Sequence, residues 1–207
     1  MNRKGQPLKE VMLMIEYISE KTVAFLIDSN SISKDDYDEV AYYRYGVEIT
    51  ISTILNVVLI ILLGLLFGQL FSSIIFLLCF VTLRQFTGGF HADTYLKCNS
   101  IFCAVYLTVL TAYYFTWQSL TVLPCVLIGA ACIFIIYLNC PIENIHKKIT
   151  PSQKVKLRYA SVLFSSILCL LSVCMVVLSN KYGSLVLFTL SSVAALVIVA
   201  KIKERGR

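Results

Sequence analysis

Long runs almost free of charge, divided by short clusters of charged residues, limit this chain more than any other feature. Apolar runs lie at about residues 47–67, 70–83, 100–117, 120–140, 157–178 and 182–200. Most approach the ~20 residues a helix needs to cross a bilayer. A lipid-exposed segment must satisfy its own backbone N–H and C=O groups, which a helix does within itself. Only 14% of the residues are charged, where a soluble domain carries roughly 25%. The expected fold is therefore an all-α polytopic membrane protein. We read one domain, 1–207, with about six transmembrane helices over 47–200 after an amphipathic segment, 1–45. The run 70–83 is the shortest, and a helix reaching only half-way through the membrane is its rival reading.

Charge bias orients these spans. The linkers at 68–69 and 118–119 contain no Lys or Arg, and the one at 180–181 contains Lys181. The other 17 of the 18 basic residues fall in the N-terminal segment, in a polar island at 84–98, in the linker after the fourth run and in the tail. Positive charge collects on the cytoplasmic side, so both termini and the polar island are expected in the cytoplasm. The net charge of +6 follows from this bias. It is not read as nucleic-acid binding, because no stacking aromatics interleave with the basic groups.

Residues 1–45 lack the apolar core of a signal peptide. Leu8, Val11, Met12, Ile15, Ile18, Thr22, Val23 and Leu26 instead recur at helical spacing, with Lys9, Glu16, Glu20 and Lys21 on other faces. This pattern fits a helix lying in the membrane interface, or one packed on the protein's own core. Ser33 before Asp35 and Asp36 reads as an N-cap with an acidic first turn, from which a second helix runs toward the first span.

Of the eight cysteines, seven fall in or at the ends of apolar runs, where a free thiol serves as a small hydrophobe. No Cys-x-x-Cys occurs. Two histidines do not make a zinc site, and no cofactor is implied. Cys98 differs. It follows Lys97 in the polar island, with His91, Gly88, Gly89 and Arg84 upstream. A thiol, an imidazole, freely turning backbone and a fixed positive charge are the parts of a cysteine-nucleophile site. On a straight helix His91 and Cys98 would share a face about 10 Å apart, whereas proton transfer needs about 3 Å. The segment must bend between them, or one of the two must sit off a helix end.

Arg84-x-x-x-Gly88-Gly89-x-His91-Ala92 followed by Cys98, and Cys140-Pro141-x-Glu143 after the fourth run, resemble the accessory gene regulator B family. The resemblance implies a bacterial membrane cysteine endopeptidase that processes autoinducing-peptide precursors for quorum sensing. It implies His91 and Cys98 as the catalytic pair, with Arg84, Gln85, Gly88 and Gly89 supporting them within a catalytic segment at 84–98. Gly88 or Gly89 N–H, or the Gln85 or Arg84 side chains, could meet the oxyanion. Glu143 could orient His91, although a place in the basic loop suits it better.

The expected partners are the bilayer and a small amphipathic precursor peptide with an acidic C-terminal tail, and a homodimer is compatible with this. Glu143, Lys147 and Lys148 are candidate precursor contacts, while anionic headgroups account for the same basic loop. The rival from another class is a peptide exporter without catalysis. Against it, Glu48 near one end is almost the only ionisable residue within the spans, whereas permeation paths carry such groups deeper.

Overall fold

The computed structural model describes residues 6–29, 37–88, 95–142 and 150–205. They form seven helices: α1 Gln6–Asp28, α2 Tyr37–Leu66, α3 Leu70–Thr87, α4 Tyr95–Thr116, α5 Val122–Asn139, α6 Pro151–Val177 and α7 Tyr182–Arg205. No strand occurs among the described residues. The last six helices contain segments long and apolar enough to cross a membrane: Gly46–Leu66, Leu70–Thr87, Lys97–Thr116, Val122–Asn139, Pro151–Val177 and Tyr182–Glu204. The chain is a multi-pass, all-helical membrane protein. It divides into two compact units, residues 1–59 with 92–102, and residues 60–91 with 103–207.

In the first unit α1 is helical as its periodicity suggests. Ser19 and Val23 are buried while Tyr17 and Phe25 stay exposed. Arg44 of α2 reaches Glu20 at 3.3 Å and Glu48 at 3.1 Å, and Ser19 donates to Glu48 at 3.3 Å. The Arg44–Glu20 pair is largely solvated and contributes ~0–1 kcal/mol at most. The N-cap expected at Ser33, Asp35 and Asp36 lies outside the described residues. The helix expected to follow it is α2, continuous from Tyr37 through the first span.

In the second unit α5, α6 and α7 pack on one another, and α3 packs on α6 and α7. Lipid tails are as apolar as leucine, so helices in a bilayer associate through close packing of small residues and hydrogen bonds between them. The α6 face meets this requirement with buried Ser161, Ser165 and Ser172. Ser172 donates to the Gly183 carbonyl at 2.7 Å and lies 3.3 Å from the Cys125 thiol. Cys132 donates to Ser191 at 3.6 Å, and Gly129 faces Cys169 closely enough that a Cβ would collide. Tyr106 of α4 is fully buried, with its hydroxyl 2.7 Å from Ser73. Several cysteines expected as small hydrophobes therefore sit in helix contacts, and all eight are free thiols.

Two helix ends differ in how clearly the sequence marks them. Thr150-Pro151-Ser152-Gln153 opens α6 with a full capping box and a proline at the start, satisfying N–H groups the helix leaves open. The second span, in contrast, does not end at Leu83. Alone, 70–83 would rise about 21 Å at ~1.5 Å per residue, short of a ~30 Å hydrocarbon core. The 18 residues of α3 reach about 27 Å. The extra turn, Arg84-Gln85-Phe86-Thr87, is less polar than it reads. Phe86 stacks on Phe164 of α6 at 5.0 Å, Thr87 is fully buried, and the Arg84 guanidinium lies 5.6 Å from the Phe80 ring centre.

Candidate active site

The polar island is not one loop. Its first four residues close α3, its last residues open α4, and positions 89–94 lie outside the described residues. So do His91 and Gly89, together with Glu143, Lys147 and Lys148.

In the second unit, the end of α3 is tied to the segment after α5. The Ile142 N–H donates to the Thr87 carbonyl at 2.9 Å, and Ile142 is buried. Gly88, the next residue of the island, has φ +72° and ψ −175°, a region essentially reserved for glycine. A Cβ on it would stand 2.5 Å from the Ile142 carbonyl oxygen and 3.1 Å from its nitrogen. Thr87 donates its hydroxyl to the Gly88 carbonyl at 2.9 Å. The two stretches that carry the family resemblance thus meet, backbone on backbone, at Gly88 and Ile142.

A third element holds the second stretch in place. Arg158, in the second turn of α6, donates Nε–H to the Cys140 carbonyl at 2.9 Å. That carbonyl lies just past the end of α5, whose last C=O groups have no partner within the helix. Arg158 read as one charge among many in the basic linker, but it acts as a brace. Burial pushes the adjacent Cys140 thiol up to about 12, partly offset by the Arg158 charge, so Cys140 stays protonated and unreactive near neutral pH. Arg158→Ala removes a charge-assisted hydrogen bond and is expected to destabilise the protein by about 1 kcal/mol. A melt in detergent should show a drop of a few degrees, and an unchanged midpoint would count against the brace.

In the first unit, Cys98 sits in the opening turn of α4, at the start of the span Lys97–Thr116. It is partly exposed, unlike Cys125, Cys132 and Cys140, which are buried. The next residue, Asn99, accepts a hydrogen bond from Ser52 of α2 at 2.9 Å. That contact fixes the rotation of α4 about its axis one residue from the thiol. Arg84, Gln85 and Gly88 share the end of α3 in the second unit, with Gln85 exposed and Arg84 partly buried.

Sequence reasoning missed Thr87, Ile142, Arg158 and Ser52. Ile142 had a usable signal, as an isolated aliphatic residue directly after Cys140-Pro141. The Thr87–Ile142 contact had none, being made by backbone atoms.

The model of accessory gene regulator B matches residues 19–199. That range takes in most of both units, the island with His91 and Cys98, and the brace at Arg158. No curated protein and no solved structure matches.

Proposed function

The chain belongs to the accessory gene regulator B family, and on that premise we propose that it is a membrane cysteine endopeptidase. Membership itself supports a part in quorum-sensing peptide processing, acting on a precursor peptide in the membrane. The observation that carries the finer reading is the match over 19–199, because it includes a segment in which one histidine and one partly exposed thiol stand seven residues apart.

In this reading His91 removes the proton from the Cys98 thiol, and the thiolate attacks the carbonyl of the scissile peptide bond. The tetrahedral oxyanion collapses, the nitrogen of the C-terminal tail takes the proton from His91, and the tail departs. The rest of the precursor stays on Cys98 as a thioester. An internal cysteine or serine of the precursor then attacks that thioester as His91 takes its proton. A thiolactone or lactone leaves, and Cys98 is restored. Keeping water away at the end of a membrane span favours ring closure over hydrolysis, and tethering both reactants on one chain raises the effective concentration of the attacking group. Arg84, Gln85, Gly88 and Gly89 support the site. Lys147 and Lys148 suit an acidic tail, and Glu143 is a further candidate precursor contact.

The direct test is co-expression with a candidate precursor, a short amphipathic peptide with an internal cysteine or serine. Cys98-dependent loss of its tail supports the peptidase. Movement of intact peptide across the membrane supports the exporter reading.

Topology gives a second expected outcome. The basic ends of the spans, both termini and the island are assigned to the cytoplasm of the bacterial cell membrane by the positive-inside rule. A membrane-impermeant maleimide should therefore spare intact cells and label inside-out vesicles. Labelling should fall sharply in Cys98→Ser, because the remaining thiols are buried, as Cys140 is, or lie within apolar helices. Strong labelling from the outer face would overturn the orientation.

A further inference from the structure

Hydroxyl and amide side chains in these helices mostly bond back to their own helix. Thr50 and Thr53 of α2 donate to the carbonyls four residues earlier, at 2.8 Å each, and Asn139 of α5 donates Nδ2 to the Ile135 carbonyl at 2.8 Å. Ser52 and Asn99 behave differently. Buried Ser52 reaches across to α4 and donates to Asn99 Oδ1 at 2.9 Å. The acceptor end of the Asn99 amide is therefore held against α2, and its donor end, Nδ2, points away from that contact. Nδ2 makes no hydrogen bond to the described residues. Nor is it enclosed. Among the described residues, Asn56 Oδ1 is the only buried side-chain nitrogen or oxygen without a partner, so the unpaired Nδ2 of partly exposed Asn99 is open to solvent. One residue after the candidate nucleophile, the fold holds an oriented, accessible and unused N–H donor.

We infer that Asn99 is the oxyanion donor for Cys98, with Ser52 as the residue that positions it. The inference rests on the peptidase reading for the reaction it serves. Thiolate attack moves the π pair of the scissile carbonyl onto its oxygen, and collapse returns that pair as the tail leaves. The same oxygen is charged again when the precursor's internal cysteine or serine attacks the thioester. Nδ2–H meets the charge both times with a hydrogen bond and gives up no proton, so the proton transfers through His91 are unchanged. Neighbouring side chains on a helix diverge by about 100°, so Cys98 and Asn99 flank a gap. The oxygen of an acyl group on Sγ lies in that gap, beside Nδ2. The start of α4 adds to the effect, since a helix N-terminus favours negative charge. The Ser52 bond to Oδ1 polarises the amide and strengthens its N–H as a donor. It also fixes the amide before the charge develops, so little reorganisation is needed during the reaction.

The test separates attack on a carbonyl, which makes an oxyanion, from attack on an alkyl halide, which makes none. Purified protein in detergent micelles is treated with p-nitrophenyl acetate, which acylates the thiolate, or with iodoacetamide, which alkylates it. Cys98→Ala protein supplies the background for both. Cleavage of the candidate precursor is followed beside them. Asn99→Ala should lower kcat for cleavage about a hundred- to a thousandfold, the range for one oxyanion donor. KM should stay level, because the bond is made only in the transition state. Acylation by the ester should fall as well, and alkylation should not change. Asn99→Asp keeps an acceptor for Ser52 and removes the donor, so it should cleave no faster than Asn99→Ala. Ser52→Ala should cost about three- to tenfold, the worth of one neutral hydrogen bond, and Ser52→Thr, which keeps the hydroxyl, should restore it. Full cleavage in Asn99→Ala or Asn99→Asp would overturn the proposal, as would a loss confined to KM. So would alkylation that falls in step with cleavage, which assigns Asn99 to placing the thiol. Cleavage that persists in Cys98→Ala would instead remove the peptidase reading. Asn99 would then be judged on the ester alone, and equal acylation of the unaltered protein and Asn99→Ala would overturn it.

Discussion

Cys98→Ala and His91→Ala should each reduce precursor cleavage by at least about a thousandfold, and the double variant should be no worse than either single one. Groups that act as one acyl-transfer unit lose their effect together, so their losses do not add. Both variants should still insert in the membrane. Cys98 lies at the edge of its helix, in α4's first turn and only partly buried, and alanine is a good helix former there. Quantitative immunoblotting of membranes beside a cleavage assay separates lost chemistry from lost protein. Full activity in either single variant would remove that residue from the reaction.

Gly88→Ala should lose about a hundredfold in activity with little loss of membrane-inserted protein. Two independent costs coincide at this position. A φ of +72° with ψ −175° is strained for any side-chain-bearing residue by roughly 1–3 kcal/mol. The new methyl would also meet the Ile142 backbone at 2.5 Å, and backbone cannot swing aside as a long side chain can. Relief requires moving the end of α3 away from the 140–142 stretch, and His91 lies only three residues further on. A displacement of about 1 Å in a catalytic group can account for a hundredfold loss. Gly68→Ala is the control at the other end of α3. It too has a positive φ, +63°, but nothing lies within 4 Å of its added methyl. It should carry the strain alone and leave activity nearly unchanged. Equal effects at Gly68 and Gly88 would show that strain, and not contact with Ile142, is responsible.

The spans were legible because a bilayer imposes a coarse rule: about twenty apolar residues, then charge. The helices from α4 to α7 follow the apolar runs closely, apart from α6, whose first turns hold Gln153, Lys154, Lys156 and Arg158 and therefore read as linker. The end of α3 was harder. Arg84 and Gln85 resemble loop residues, yet Leu83 and Thr87 are buried and Phe86 stacks on Phe164, so packing against α6 overrides polarity in that turn. In the site, residue chemistry singled out Cys98 and His91, whereas the contacts that position their neighbours were hidden. The Thr87–Ile142 hydrogen bond joins residues far apart in sequence through atoms every amino acid carries. Arg158 was one basic residue in a basic stretch, and only its reach to the Cys140 carbonyl at 2.9 Å distinguishes it.

The thioester itself is the most direct measurement. A precursor whose internal cysteine or serine is replaced by alanine can still be cut but cannot close its ring, so the acyl-enzyme should accumulate. Intact-protein mass spectrometry should then show a mass increase equal to the precursor without its tail. The adduct should map to the peptide containing Cys98, should be removed by neutral hydroxylamine, and should be absent from His91→Ala. Tail release with no such adduct, or an adduct on any of the other seven cysteines, would contradict Cys98 acyl transfer as the chemistry of this protein.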